Sequence, residues 1–282
     1  MIRWTQTERF KMIEDGQYIL LNGCSFTFGG ELPGWKTNDH WEYTFGNHLS
    51  QKLKLPFRNM AMCGNSNDKI FRTTMESLMF EPPPALLIIL WSSLGRKEFA
   101  SFRRLEGDEA LHIPFDPRGW EQKIPNIRTE KFWYNSRDDS EPQDQKDILK
   151  EWYDKVYTIE TAAMEQMNYM RIVQFTCDQL KIPLIMGNMK SEPWKVVLHS
   201  LMRRKNYPQY ADYINDSRNL LRWECRMGMG SDAPDTIGDI ADAKDDVMPN
   251  GHPGLQSQKI FAGRLYDIIK EQNILPLTDQ RV

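Results

Sequence analysis

The sequence predicts an α/β protein built on a mainly parallel sheet with helices on both faces, and three observations carry that expectation. Short apolar runs alternate with longer stretches of helical periodicity. One run, "ALLIILW" (Ala85 to Trp91), is apolar without interruption, as in a strand buried on both sides. The loops after the runs, "GCSFTFGG", "CGNSND", "SSLGRKEF" and "GNMKSEP", are rich in small and polar groups, as are the ligand-bearing loops at the carboxyl ends of such sheets.

The elements follow in order. Tyr18 to Leu21 is a short apolar strand. Trp41, Phe45, Leu49 and Leu53 recur every fourth residue and share one face of a helix. "FRNMAM" (Phe57 to Met62) is the second strand. Ile70, Phe71, Thr74 and Leu78 mark a second helix, opened by Ser66 or Asn67 as N-cap and stopped before Pro82-Pro83-Pro84. The third strand is "ALLIILW". From Trp152 through Val156, Ile159, Ala163, Met167, Met170, Val173 and Cys177 to Leu180, helical spacing persists over about seven turns. "IPLIMGN" (Ile182 to Asn188) is the fourth strand, and a last helix spans Leu255 to Ile274 with Phe261, Leu265 and Ile268 on one stripe. This alternation describes one doubly wound, three-layer domain over residues 1–282. Two stretches break it, about 99–147 and 194–249, and read as insertions of helix and loop because neither has a long apolar pattern of its own.

Composition narrows the function classes. The chain has 282 residues, 40% hydrophobic and 27% charged, which suits a globular protein with a sizeable core. Lys and Arg number 36 against 39 Asp and Glu, so a net charge of -3 offers no footprint for nucleic acid or an anionic membrane. No apolar run approaches the roughly 20 residues of a membrane helix. The N-terminus "MIRWTQTERFKMIEDG" has charges throughout and no apolar segment of the secretory kind, so cytoplasmic residence is expected, unless the chain leaves the cell within a particle. Cys24, Cys63, Cys177 and Cys225 lack CxxC spacing, and the five histidines are scattered. No metal site or disulfide framework is expected. Cys24 and Cys63 read as small buried residues rather than nucleophiles.

The turn after the first strand asks for an explanation of its own. "YILLNGCSFTFGG" (Tyr18 to Gly30) leaves an apolar run through Asn22, Gly23 and Cys24 to Ser25, so that small residues mount one hydroxyl at the rim of the sheet. "NGCSFTFG" after the first strand, "NMAMCGNSND" after the second and "GHPG" before the last helix together resemble the SGNH (GDSL-like) hydrolase superfamily. These are three-layer, flavodoxin-like α/β esterases and lipases, and the ordered blocks span nearly the whole chain.

The resemblance implies Ser25 as nucleophile, His252 as its base and the Gly64 backbone N–H as an oxyanion donor. The chemistry suits those types: a serine hydroxyl needs a base, and an imidazole with a pKa near ~6.5 can remove its proton at neutral pH. Two blocks depart from the family pattern. The third normally supplies an Asn as an oxyanion donor, and here Ser93 lies roughly at that place. The last normally has an Asp three residues before the His, where this chain has Pro249. The partner of His252 is then Asp246 or Asp245 from upstream, or Asn250 as a neutral acceptor; a Ser-His dyad and a scaffold without catalysis stay open as well.

Asn67, Arg96 and Asn250 are candidate substrate ligands, with helix capping the competing role for Asn67 and a solvated loop that for Arg96. Phe115, Trp120, Phe132, Trp133 and Tyr134 offer either a sugar-stacking platform or a small core for the insertion. The functional expectation is an esterase acting through an acyl-enzyme on a small or carbohydrate ester, often an acetyl ester, without cofactor. The alternative is an SGNH-like scaffold serving in binding or assembly, a virus particle being one setting for it. A phosphate-cradling reading of "GCSFTFGG" lacks the Lys-Ser/Thr pair and the ribose-binding acid such motifs require.

Overall fold

The structure, a computed structural model, describes residues 6–37, 39–104, 110–115, 117–118, 132–134, 151, 155–190 and 236–275. Its centre is a four-stranded parallel sheet of β1 (Ile19–Gly23), β2 (Phe57–Asn59), β3 (Leu86–Trp91) and β8 (Leu184–Asn188), in the order β2-β1-β3-β8. Pairing runs from Ile19 opposite Leu86 to Gly23 opposite Leu90, and from Leu87 opposite Leu184 to Trp91 opposite Asn188. Their carboxyl ends therefore reach one rim together. Every residue of β1, β3 and β8 is buried, as parallel strands covered on both faces must be.

The period of two along each strand divides the core into two layers. Leu20, Leu87, Ile89, Trp91, Leu184 and Met186 face α4 (Asn67–Phe80) and α5 (Ile159–Leu180). Ile19, Leu21, Leu86, Ile88, Leu90 and Ile185 face α3 (Phe45–Leu53), α6 (Ile237–Lys244) and α7 (Leu255–Glu271). Each fully buried aliphatic side chain contributes roughly 1.5 to 3 kcal/mol from burial alone. The three-layer arrangement is the one the alternating periodicity predicts.

Capping chemistry explains where the boundaries differ from expectation. Trp41 does not begin α3: residues His40–Tyr43 form a 3-10 turn, and Thr44, extended at φ -74° and ψ 152°, starts the helix by accepting from Asn47 N–H. Similarly α5 starts at Ile159, because the Thr158 side chain caps it by accepting from Thr161 N–H, and Tyr157 just before it anchors its hydroxyl on Leu94 O at 2.8 Å. Trp152 lies outside the described residues. At α4 the cap is Ser66, whose side chain accepts from Lys69 N–H, and Asn67 is the first helical residue. A helix without long apolar periodicity, α1 (Gln6–Glu14), precedes β1.

The stretches expected as insertions are not uniform. The first contains antiparallel pairs, β4 (Lys97–Arg104) with β5 (Ala110–Phe115) and β6 (Pro117–Arg118) with β7 (Phe132–Tyr134). Lys97 ties the start of β4 to α4 through Asp68 at 2.8 Å and to α5 through Glu165 at 2.6 Å. From the second, α6 belongs to the core layer, with Ile237 and Ile240 buried against β1, β3 and α7. Two apolar residues at that spacing on an eight-residue helix are too short a signal to detect within a polar stretch. The aromatic side chains proposed for sugar stacking lie outside the described residues. Among those described, no helix is long and apolar enough to cross a membrane.

Candidate active site

Ser25 opens a four-residue helix, α2 (Ser25–Phe28), directly at the end of β1, and Cys24 at its N-cap is extended. The exit is this sharp because Gly23 carries no side chain: a Cβ there would lie 2.2 Å from Thr27 Oγ1 and 2.8 Å from Leu90 O. Three asparagines hold the turn, two at the ends of β1 and β2 and one in the loop before α4. Asn22 Oδ1 accepts from Gly23 N–H at 2.8 Å, Asn59 donates to Thr27 O at 2.9 Å, and Asn65 donates to Gly23 O at 3.0 Å. Cys24 is buried with its sulfur 3.4 Å from Met189 Sδ, a packing role.

His252 arrives from the other end of the chain on the loop before α7. Residues 246 to 254 form a closed turn: Val247 bridges Pro253, Met248 N–H donates to His252 O, and Gly254 N–H donates to Asp246 O. The His252 ring packs edge-on to Phe26 of α2, with centroids 5.6 Å apart. The ring and Ser25 share a neighbour in Gly30. The position a Cβ on Gly30 would take lies 3.2 Å from His252 Nε2 and 3.3 Å from Ser25 Cβ. Two segments from opposite ends of the sequence thus meet at the carboxyl rim of the sheet.

The acidic partner is not the one expected. His252 Nδ1 lies 2.8 Å from Glu31 Oε2, across 221 positions of sequence. Glu31 is itself held by Asn250, whose backbone N–H reaches both carboxylate oxygens at 3.0 and 3.2 Å and whose side-chain amide donates to Oε1. Burial alone would raise the Glu31 carboxyl; the hydrogen bonds from His252 and Asn250 outweigh it and hold the carboxyl below its ordinary value. An ionised carboxylate only accepts, so His252 Nδ1 carries a proton, and in the neutral ring Nε2 then presents the lone pair. Glu31 has φ +66°, an uncommon conformation for a residue with a side chain and one concentrated at functional sites.

Asp246 and Asn250 therefore take roles other than the expected one of facing the His252 ring. Asp246 Oδ2 accepts from Ser257 N–H at 2.7 Å and Ser257 Oγ–H at 2.8 Å, capping the first turn of α7 and closing the His252 loop from below. Asp245 ends α6 at φ +50°. Asn250 steadies the carboxylate and not the ring.

The remaining expected residues divide. Gly64 has φ +83°, and a Cβ there would find open space, with nothing within 4 Å. Ser93, half-buried, accepts from Gly95 N–H at 3.4 Å. Asn67 faces inward: it accepts from Ser92 N–H at 2.7 Å and donates to Ser92 O and to Gln166, which donates in turn to Asn188. That buried ladder joins α4, the residue after β3, α5 and β8, so Asn67 is a structural clamp. Arg96, expected in a solvated loop or on substrate, is buried and donates to Ser92 Oγ at 2.9 Å. Among the described residues, no group of three or more His, Cys, Asp or Glu is arranged to hold a metal ion.

No family model matches the chain, and no curated protein matches it in sequence. Solved structures similar to it include the psychrotrophic esterase EstA from Pseudoalteromonas sp., at 12% identity, 91% of this chain and 98% of that one, with a TM-score of 0.44. Another is a member of the lipolytic protein G-D-S-L family from Veillonella parvula DSM 2008, at 10% identity, 90% and 98% coverage, and a TM-score of 0.41. A third is the acetyl xylan esterase Est2A from Butyrivibrio proteoclasticus, at 10% identity and a TM-score of 0.43, over 92% of this chain and 65% of that longer one.

Proposed function

We propose that this protein is a serine hydrolase cleaving carboxylic esters through an acyl-enzyme, with Ser25 as nucleophile, His252 as general base and acid, and Glu31 as the carboxylate that orients and charges the ring. One observation carries the reading: a carboxylate oxygen of Glu31 lies 2.8 Å from His252 Nδ1, while His252 Nε2 and Ser25 Cβ lie 3.2 and 3.3 Å from the position a Cβ on Gly30 would take.

In the first half-reaction Nε2 accepts the Ser25 Oγ proton as Oγ bonds to the substrate carbonyl carbon. The resulting imidazolium is stabilised by Glu31. The carbonyl oxygen becomes an oxyanion, for which the Ser25 and Gly64 backbone N–H groups are the donors, with the Ser93 hydroxyl as a third. Loss of one such donor costs roughly 3 kcal/mol in a well-studied serine protease. As the tetrahedral adduct collapses, the ester C–O bond breaks and Nε2–H passes its proton to the departing alcohol. Water then repeats the sequence on the acyl-enzyme and releases the carboxylic acid and free Ser25. The absent side chain at Gly64 leaves the substrate a bare backbone to approach. A small acyl group, acetyl above all, on a small or carbohydrate alcohol is the substrate class proposed.

Hydrolysis of p-nitrophenyl esters from acetyl to octanoyl tests this. Turnover that is highest for the shortest chain and lost in Ser25→Ala supports it. No turnover with any ester, in a folded protein, favours the alternative of a binding or assembly scaffold.

A further inference from the structure

A glycine is retained for one of three physical reasons: a left-handed φ, close packing against the body of the fold, or close approach of functional groups. Gly29 answers to the first two. Its φ is +89°, and a Cβ there would meet Thr44 Cγ2 at 2.8 Å and Leu32 Cδ1 at 2.9 Å. Its neighbour Gly30 answers to neither. The Gly30 φ lies outside the left-handed region, so its backbone admits alanine. The three atoms its Cβ would come nearest are His252 Cδ2 and Nε2, both at 3.2 Å, and Ser25 Cβ at 3.3 Å. All three belong to the two residues assigned to proton transfer.

We propose that Gly30 is a positioning residue: its bare Cα is what allows the His252 ring to close on Ser25, and the missing side chain is a requirement of the reaction and not of the fold. The inference rests on the Ser25–His252 reading above. Contacts of 3.2 to 3.3 Å are tighter than a methyl group ordinarily accepts, so something must give by a few tenths of an ångström. Residue 30 cannot easily retreat, because Gly30 N–H donates to Ser25 O at 2.8 Å and ties it to the nucleophile's own turn. Nor can Ser25 Cβ, which is fixed by β1 and α2. The His252 ring is the movable part. It swings away from Ser25 about its contact with Glu31, so that Nδ1 stays on the carboxylate while Nε2 loses the hydroxyl.

The test compares the parent protein with Gly30→Ala for inactivation by a fluorophosphonate and for hydrolysis of p-nitrophenyl acetate, together with Tm and the pH profile. Misplacement of this size is expected to slow both reactions by roughly 10- to 100-fold. The Tm stays close to the parent's and the acid limb of kcat/KM stays where it was, since the Glu31 contact is retained. Gly29→Ala gives the contrasting pattern, a clearly lowered Tm. A Gly30→Ala protein that reacts at the parent's rate overturns the proposal while leaving the Ser25–His252 reading intact. A parent that is not labelled at Ser25 overturns both. A Gly30→Ala protein that fails to fold, or whose Tm falls as far as that of Gly29→Ala, makes the bare Cα a requirement of the fold and overturns the proposal.

Discussion

Replacing Glu31 by Gln probes the site at its least expected member, and the hydrogen bonds determine what the amide must do. Oε1 of Glu31 receives the Asn250 side-chain amide, Oε2 faces His252 Nδ1, and the Asn250 backbone N–H reaches both oxygens, at 3.2 Å and 3.0 Å. A glutamine has one acceptor oxygen in place of two. With that oxygen placed to accept the Asn250 side-chain amide, the new NH2 group faces Nδ1. An amide donor there makes Nδ1 the acceptor and moves the ring proton to Nε2, so the ring no longer presents a base to Ser25. It also removes the charge that stabilises the imidazolium. The analogous acid-to-amide change in a serine protease lowers kcat about 10⁴-fold, and the same tautomer argument predicts a loss of about 10³- to 10⁴-fold here. The assay is kcat and KM for p-nitrophenyl acetate from pH 5 to 9, with kcat falling and KM little changed. Activity within about tenfold of the parent would refute the assignment of Glu31 and return the Ser-His dyad to consideration.

Further predictions follow from the same contacts. Because the Glu31 carboxyl is held below its ordinary value of 4.5, its contribution to stability is fully present above that value and is lost as pH falls through the lower folded value. Tm measured between pH 7 and 3 should therefore show the parent's advantage over Glu31→Gln shrinking at the acid end; a gap independent of pH contradicts the shift. Asp246→Ala removes the acceptor for Ser257 N–H and Oγ–H and should cost about 1 to 2 kcal/mol in urea unfolding, as loss of a helix cap does, with the pH profile unmoved. If the pH profile moves, or kcat falls as far as in Glu31→Gln, Asp246 is a partner of His252 after all. Asn67→Ala breaks the buried ladder to Ser92 and Gln166, and the unmet groups should cost about 1 to 3 kcal/mol each. A substrate-binding Asn67 would instead raise KM without altering stability.

Much of the architecture was legible because burial on both faces leaves an unmistakable mark. "ALLIILW" has no other reading in a chain of this polarity, and Ala163, Met167, Met170, Val173 and Cys177 keep to one face of α5 over its full length. Boundaries were less so, because single caps decide them: Thr44 and Thr158 end the preceding chain and start helices where periodicity alone would run on. The site was legible in part. Ser25 and His252 stand in short, ordered blocks, while Glu31 sits in "GGELPG", a turn with no periodicity, six residues beyond Ser25. Its pairing with His252 depends on tertiary closure across 221 positions, which no local pattern encodes. One signal was available: a carboxylate between glycine turns in the loop of Ser25, in a chain that has Pro249 where the resemblance leads one to expect an acid. Asn67 and Arg96 misled for the opposite reason. Polar residues beside a presumed site look like ligands until their hydrogen bonds to Ser92 are seen.

Intact-protein mass spectrometry after exposure to a fluorophosphonate, with the adduct mapped by peptide fragmentation, tests the central assignment most directly. A single adduct on Ser25, formed slowly in His252→Ala and not at all in Ser25→Ala, is the expected result. An unmodified parent, or an adduct that persists when Ser25 is alanine, contradicts it.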